Sequence, residues 1–250
     1  MKHDYSCSPY ILNNTIMYSM KINLNDINYY FLTYNNLIRK QHILNEFAGY
    51  NLIEVNPIPD IGKYKSGASG FIKISDLACQ NQDRNMPFQP FVIFEDDAKK
   101  HREFPSNIDI PDDADILYIG ISRCGMRKTT AKNDVRFINI NEDVIRIYNM
   151  LSSHGILICS MRGLLMIQKC MLEGYYKNNS WDIYTAQIQP YLNVYALKNP
   201  LVYQYEKIGG IEEHTKLTYM NMENRDMPST WINKTNDSII TSYLQKLIMK

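Results

Sequence analysis

The chain has 250 residues, 27 Lys or Arg against 26 Asp or Glu, and 45% of it is hydrophobic. A disordered chain combines low hydrophobicity with high net charge, and this one, at +1, shows neither. Nucleic-acid binders carry a basic excess to neutralise phosphate, so the expectation here is no nucleic-acid partner.

Residues 1–27 are polar and irregular, which predicts an arm or a short hairpin. Tyr29-Tyr30-Phe31-Leu32-Thr33 is a compact aromatic and β-branched run, a first strand. Apolar Leu37, Ile38, Ile43, Leu44 and Phe47 then recur at helical spacing over 36–47. Asn51-Leu-Ile-Glu-Val55 reads as a second strand. Strand, helix and strand in so short a span form a βαβ unit and argue for a parallel sheet. Lys65-Ser-Gly-Ala-Ser-Gly70 reads as a small-residue loop that opens a helix over 71–79. Further strands are predicted at 91–94, 115–120, 137–140 and 155–159, then a helix over 162–172. Val194-Tyr-Ala-Leu197 and Pro200-Leu-Val-Tyr-Gln204 read as strand and loop, and 239–248 as a C-terminal helix. The whole predicts one α/β domain. Five widely spaced cysteines form no CxxC pair, which points to free thiols in a reducing compartment. With no apolar leader and no membrane-length apolar run, the expectation is a cytoplasmic protein without a membrane segment.

The strongest chemical signal is Phe91-Val-Ile-Phe-Glu95-Asp96-Asp97. Buried strands of α/β sheets deliver functional groups just past their carboxyl ends. Three consecutive carboxylates repel one another unless a cation or a set of donors shares them. Glu95 and Asp97, two apart on an extended chain, face one way, and their oxygens suit Mg²⁺ or Mn²⁺. The competing reading is an acidic turn made comfortable by Lys99, Lys100, His101 and Arg102.

An apolar strand ending in Glu95-Asp96-Asp97-Ala98, followed about 18 residues later by Asp115-Ile-Leu-Tyr-Ile-Gly120, resembles glycosyltransferase family 25. That family includes lipooligosaccharide-biosynthesis and collagen galactosyltransferases and enzymes of large viruses, which would put a viral member in the host cytoplasm. The resemblance runs patchily over 28–205, which it makes a GT-A type, Rossmann-like mixed sheet flanked by helices; 1–27 would be an arm and 206–250 an extension packed on the same domain. It implies that Glu95 and Asp97 hold Mn²⁺ or Mg²⁺ on the diphosphate of a nucleotide sugar, with Asp96 beside them. Phe31-Leu-Thr33-Tyr34-Asn-Asn-Leu-Ile-Arg39-Lys40 resembles the family's opening strand and nucleotide-contacting segment, with Thr33 in place of the usual Asn. Lys65, Ser66 and Ser69 fall where the family has a Gly- and Ser-containing helix start that meets the donor, here without its His. Ser153-His154-Gly155 and Asn178-Asn-Ser-Trp181-Asp182 match its acceptor side. Asp182 is the implied base of an inverting transfer, and Trp181 the implied platform for a sugar ring. Val194-Tyr195-Ala-Leu-Lys-Asn-Pro200-Leu-Val-Tyr203-Gln204 resembles the closing strand; with Tyr191, these tyrosines lie on the same acceptor side. Arg123, Arg127 and Lys128 are candidates to neutralise the leaving diphosphate.

The first expectation is therefore a glycosyltransferase with a nucleotide-sugar donor and a glycan or glycoprotein acceptor; a homodimer is admitted. The alternatives are a metal-dependent phosphodiesterase or nuclease, and a non-catalytic sugar-binding protein of the same fold.

Overall fold

The computed structural model describes residues 8–12, 15–83, 85–126, 131–132 and 135–221. The helix expected over 239–248 lies outside them. In chain order the elements begin with β1 (Ser8–Leu12), β2 (Thr15–Asn23), β3 (Asn28–Leu32), α1 (Leu37–Glu46), β4 (Asn51–Val55), α2 (Lys63–Gln80) and β5 (Phe91–Glu95). Next come β6 (Ala98–Lys100), β7 (Asn107–Pro111), β8 (Ile116–Tyr118), β9 (Cys124–Gly125), β10 (Ala131–Lys132), β11 (Phe137–Asn139), β12 (Val144–Ile147) and β13 (Gly155–Ile158). The chain continues with α3 (Met161–Lys177), α4 (Trp181–Ile188), β14 (Val194–Leu197), β15 (Val202–Gln204) and α5 (Glu212–Thr215).

Eight strands form the central sheet in the order β11-β12-β14-β8-β13-β5-β3-β4. β4, β3 and β5 are parallel, as are β8 and β14, but β13 runs antiparallel to both β5 and β8. The sheet is therefore mixed, as expected, and the parallel run begun by the first βαβ unit extends to β5.

The central strands are apolar without interruption because both faces are covered. Tyr30, Leu32, Phe91, Ile93, Ile116, Tyr118, Ile156 and Ile158 pack on one face with Phe71 and Ile74 of α2 and Leu164 and Ile167 of α3. Their alternates Tyr29, Phe31, Val92, Phe94, Leu117 and Leu157 pack on the other, against Ile43 of α1, Phe47, and Ile108 and Ile110 of β7. On that second side β1, β2 and β7 form a separate antiparallel sheet, so β1 and β2 are a hairpin extended by a third strand.

Two local readings change. Residues 65–70 are not a loop: α2 already starts at Lys63. Gly70 serves packing, because a Cβ there would meet Leu32 Cδ2 at 2.4 Å and Pro57 Cβ at 3.2 Å, whereas one on Gly67 would meet nothing within 4 Å. In α1, Leu37 and Ile38 are exposed, and Ile43 with the adjoining Phe47 carries the buried face.

Candidate active site

β3 and β5 are parallel with Leu32 opposite Glu95, so both chains leave the sheet at one edge. Because β13 is antiparallel, with Gly155 opposite Phe94, its beginning comes to that same edge and brings Ser153 and His154 with it. Asp96 and Asp97 occupy the turn from β5 into β6, and β15 lies antiparallel on β6 with Gln204 opposite Ala98. Four segments distant in sequence thus converge at one end of the sheet.

Glu95 is held through both oxygens: Ser153 Oγ donates to Oε1, and Gln204 Nε2 donates to Oε2 at 3.0 Å. Arg39 reaches in from the first turn of α1, whose start is fixed by Asn36 Oδ1 accepting from the Arg39 N–H at 3.1 Å. Its Nη1 lies 2.8 Å from Asp96 Oδ1 and 3.7 Å from Asp97 Oδ2. Asp97 is 5% exposed, and its Oδ1 is buried with no hydrogen-bond partner. Asp182 sits in the first turn of α4, and its Oδ1 is in the same condition.

The charges confirm how crowded this end is. Burial, then the neighbouring Asp97, pushes Glu95 up to about 8 against the opposing pull of the Ser153 hydrogen bond, and Asp182 and Asp96 add to the rise. Burial also lifts Asp97 to about 6 although the Arg39 guanidinium works the other way. Even Asp96, paired with Arg39, is raised, with burial the largest cause. One guanidinium is thus set against a carboxylate cluster that it does not fully neutralise.

Among the described residues no three His, Cys, Asp or Glu side chains converge tightly enough to hold a metal ion by themselves. Glu95 and Asp97 nonetheless fit a hard divalent cation that takes most of its oxygens from water and substrate phosphate, the habit of Mg²⁺. The buried, unpartnered Asp97 oxygen is the observation behind that fit.

Other sequence-derived candidates fall elsewhere. Thr33 is buried and donates to Glu54 Oε1 at 2.8 Å, while Lys40 pairs with the same carboxylate at 2.6 Å. Tyr34, next to it, is 43% exposed and exchanges hydrogen bonds with Asp60. Ser69 is spent on Ile58 N and Ser66 O, both within 2.8 Å, and Lys65 lies 5.8 Å from the Tyr175 ring. Ser66 is buried, with no partner for its hydroxyl. Trp181 is 6% exposed and packs on Phe71, ring centroids 4.2 Å apart, which leaves no free face for a sugar. Tyr203 is also buried; it points away from Gln204 on the same short strand, toward His101 and Lys216. Tyr195 is buried and donates to Asp113 Oδ1 at 2.9 Å; Tyr191 is partly buried in a 3₁₀ turn. His154 is buried beneath Gly120 beside Ser152, and desolvation drives it down to about 3, so it is neutral. Gly155 is a packing glycine, since a Cβ there would meet Val202 Cγ2 at 2.4 Å. Arg123 is engaged by Glu213 and His214, and Arg127 and Lys128 lie outside the described residues.

The basic run 99–102 does not neutralise the acidic turn in the way its proximity in sequence implied. Lys99 sits 4.0 Å over the Tyr205 ring, Lys100 pairs with Glu103 at 3.6 Å, and Arg102 donates to Asn199 O. Ser153, which the resemblance put on the acceptor side, instead holds Glu95, a pairing set by the antiparallel register of β13 that no local motif signals.

No family model and no curated protein sequence matches this chain.

Proposed function

We propose that this protein is a metal-dependent, inverting glycosyltransferase of GT-A type, moving a sugar from a UDP- or GDP-linked donor to a hydroxyl of a glycan or glycoprotein. The observation that carries the reading is the buried acidic turn at the carboxyl end of β5, where Asp97 keeps an oxygen without a partner. A divalent cation resolves the mutual repulsion of these carboxylates, and it can take its remaining oxygens from water and from a diphosphate. The resemblance of the Glu95-Asp96-Asp97 segment to family 25 points the same way.

In this reading Ser153 and Gln204 fix the two oxygens of Glu95, so that Glu95 and Asp97 present a prearranged pair. A divalent cation bound there supplies positive charge against the departing diphosphate. Arg39 adds a guanidinium whose fork matches phosphate oxygens. Asp182, whose Oδ1 accepts no hydrogen bond, takes the proton of the acceptor hydroxyl as that oxygen bonds to the anomeric carbon and the nucleoside diphosphate leaves. Tyr34, exposed just beyond β3, offers the ring face that Trp181 and Tyr203 do not.

A thermal-shift panel of UDP, GDP and their sugars, each with and without Mn²⁺, tests the binding part. Stabilisation by one nucleotide that needs the metal is expected, as linkage requires of a ligand that binds only the folded state. Turnover of that donor is then expected to vanish in Asp97→Ala. No shift with any nucleotide, or turnover untouched by the substitution, overturns the reading.

A further inference from the structure

After β15 the chain doubles back across the acidic turn. Tyr205 N donates to Asp97 O at 2.8 Å, and Gln204 N donates to Thr215 Oγ1 at 2.9 Å, which closes residues 205–215 into a strap. Arg123 fastens its far end, donating through Nε to His214 Nδ1 at 3.0 Å and pairing with Glu213 at 2.5 Å. At the near end Arg39 Nε donates to Ile208 O at 2.9 Å. Gly209, at φ +92°, follows so closely that a Cβ would meet Arg39 Nη2 at 2.9 Å. The guanidinium that faces Asp96 and Asp97 therefore also latches the strap.

We propose that Arg39 is a displaceable counter-ion, which holds the acidic turn in the cation-free protein and unlatches residues 205–210 when a divalent cation takes its place. This rests on Glu95 and Asp97 being the cation-holding pair. A divalent ion at Asp97, with Arg39 3.7 Å from that carboxylate, sets like charges together in a poorly hydrated site, where their repulsion is weakly screened. The attraction that kept Arg39 in place falls, and its fork is free to meet an incoming phosphate. Ile208 O then loses its donor while Arg123 still holds the other end. The near half of the strap opens on a fixed hinge.

Hydrogen–deuterium exchange over 205–210 in the full chain, with Mn²⁺ alone as the probe, reads the latch directly. Mn²⁺ is expected to speed exchange there and to leave 213–216 unchanged. Arg39→Met is expected to exchange fast without metal, and to bind Mn²⁺ about tenfold more tightly by electron paramagnetic resonance, since one competing positive charge is gone. Arg39→Lys keeps the charge but not the Nε–H, so its strap loosens with Mn²⁺ affinity near wild type. Bound Mn²⁺ that leaves exchange unaltered, no Mn²⁺ binding at all, or equal affinity in wild type and Arg39→Met each overturns the proposal. A metal-sensitive strap in a protein that turns over no nucleotide sugar leaves this inference standing and removes the glycosyltransferase reading.

Discussion

Two buried acids stand at opposite ends of the same sheet. Asp115, 2% exposed just before β8, accepts from Arg162 Nε at 2.8 and 3.0 Å, from Arg162 Nη2 at 2.6 Å, from Ser160 Oγ at 2.6 Å and from Asn193 N at 3.0 Å. Asp97, 5% exposed just after β5, has an oxygen that accepts nothing and shares a single arginine with Asp96. The first carboxylate is satisfied by the protein, and the same Ser160 hydroxyl caps α3 by accepting from Gly163 N. The second is left partly unanswered beside two further acids. Breaking a buried ion pair whose hydrogen bonds are complete is costly, whereas an incomplete cluster of buried acids is a candidate ligand site.

The contrast is broken or sharpened by four measurements. Asp115→Ala should cost about 3–5 kcal/mol in urea unfolding, because it strands Arg162 and the Ser160 cap; a loss below about 1 kcal/mol would make this pair no better than a surface salt bridge. Asp97→Asn should keep or slightly raise stability at pH 8 while turnover falls roughly hundredfold or more, the scale of losing charge stabilisation in a transition state. A parallel loss of stability would make Asp97 a second Asp115. The third measurement is pH dependence. Folding raises Glu95 and Asp97 above their ordinary carboxylate values of 4.5 and 3.8, so the native state binds more protons than the unfolded one between those values and about 8. Stability without metal is therefore greatest at the acidic end of this window and declines as pH rises through it, by several kcal/mol, with Mn²⁺ flattening the slope. A metal-free profile that rises over the same window contradicts the assignment. Smallest is Ser153→Ala, expected to lose about 1 kcal/mol or less and to push Glu95 higher still, because the lost hydrogen bond was lowering it. Infrared titration of the carboxyl band reads that shift.

The main strands were legible because burial on both faces leaves an unbroken apolar run that no turn or surface helix imitates. The end of β5 was legible for the same reason, since the run stops abruptly at Glu95. What answers those acids was not. Arg39 is 57 residues before Asp96 and Gln204 is 109 after Glu95, and their meeting depends on strand order and register. Residues 65–70 misled because Gly and Ser serve both turns and close helix packing, and only Leu32 and Pro57 across the interface decide between them. Trp181 misled in a related way. An aromatic beside an acid looks the same in sequence whether its ring meets a sugar or, as here, Phe71.

The antiparallel β13 also affects how the chain is made. β5 has β3 on one edge from the moment it emerges, but its other edge waits for residues 155–158, as does the facing edge of β8. During synthesis Phe91 to Phe94 stays half-paired and Ile116 to Tyr118 unpaired until the segment between them arrives, and the second edge of Ile116 to Tyr118 waits longer, for Val194 to Leu197. Nascent chains in that interval expose open edges to one another. The strand that brings Ser153 to the acidic end of the sheet is thus also the one that closes an open edge on each of its two neighbours.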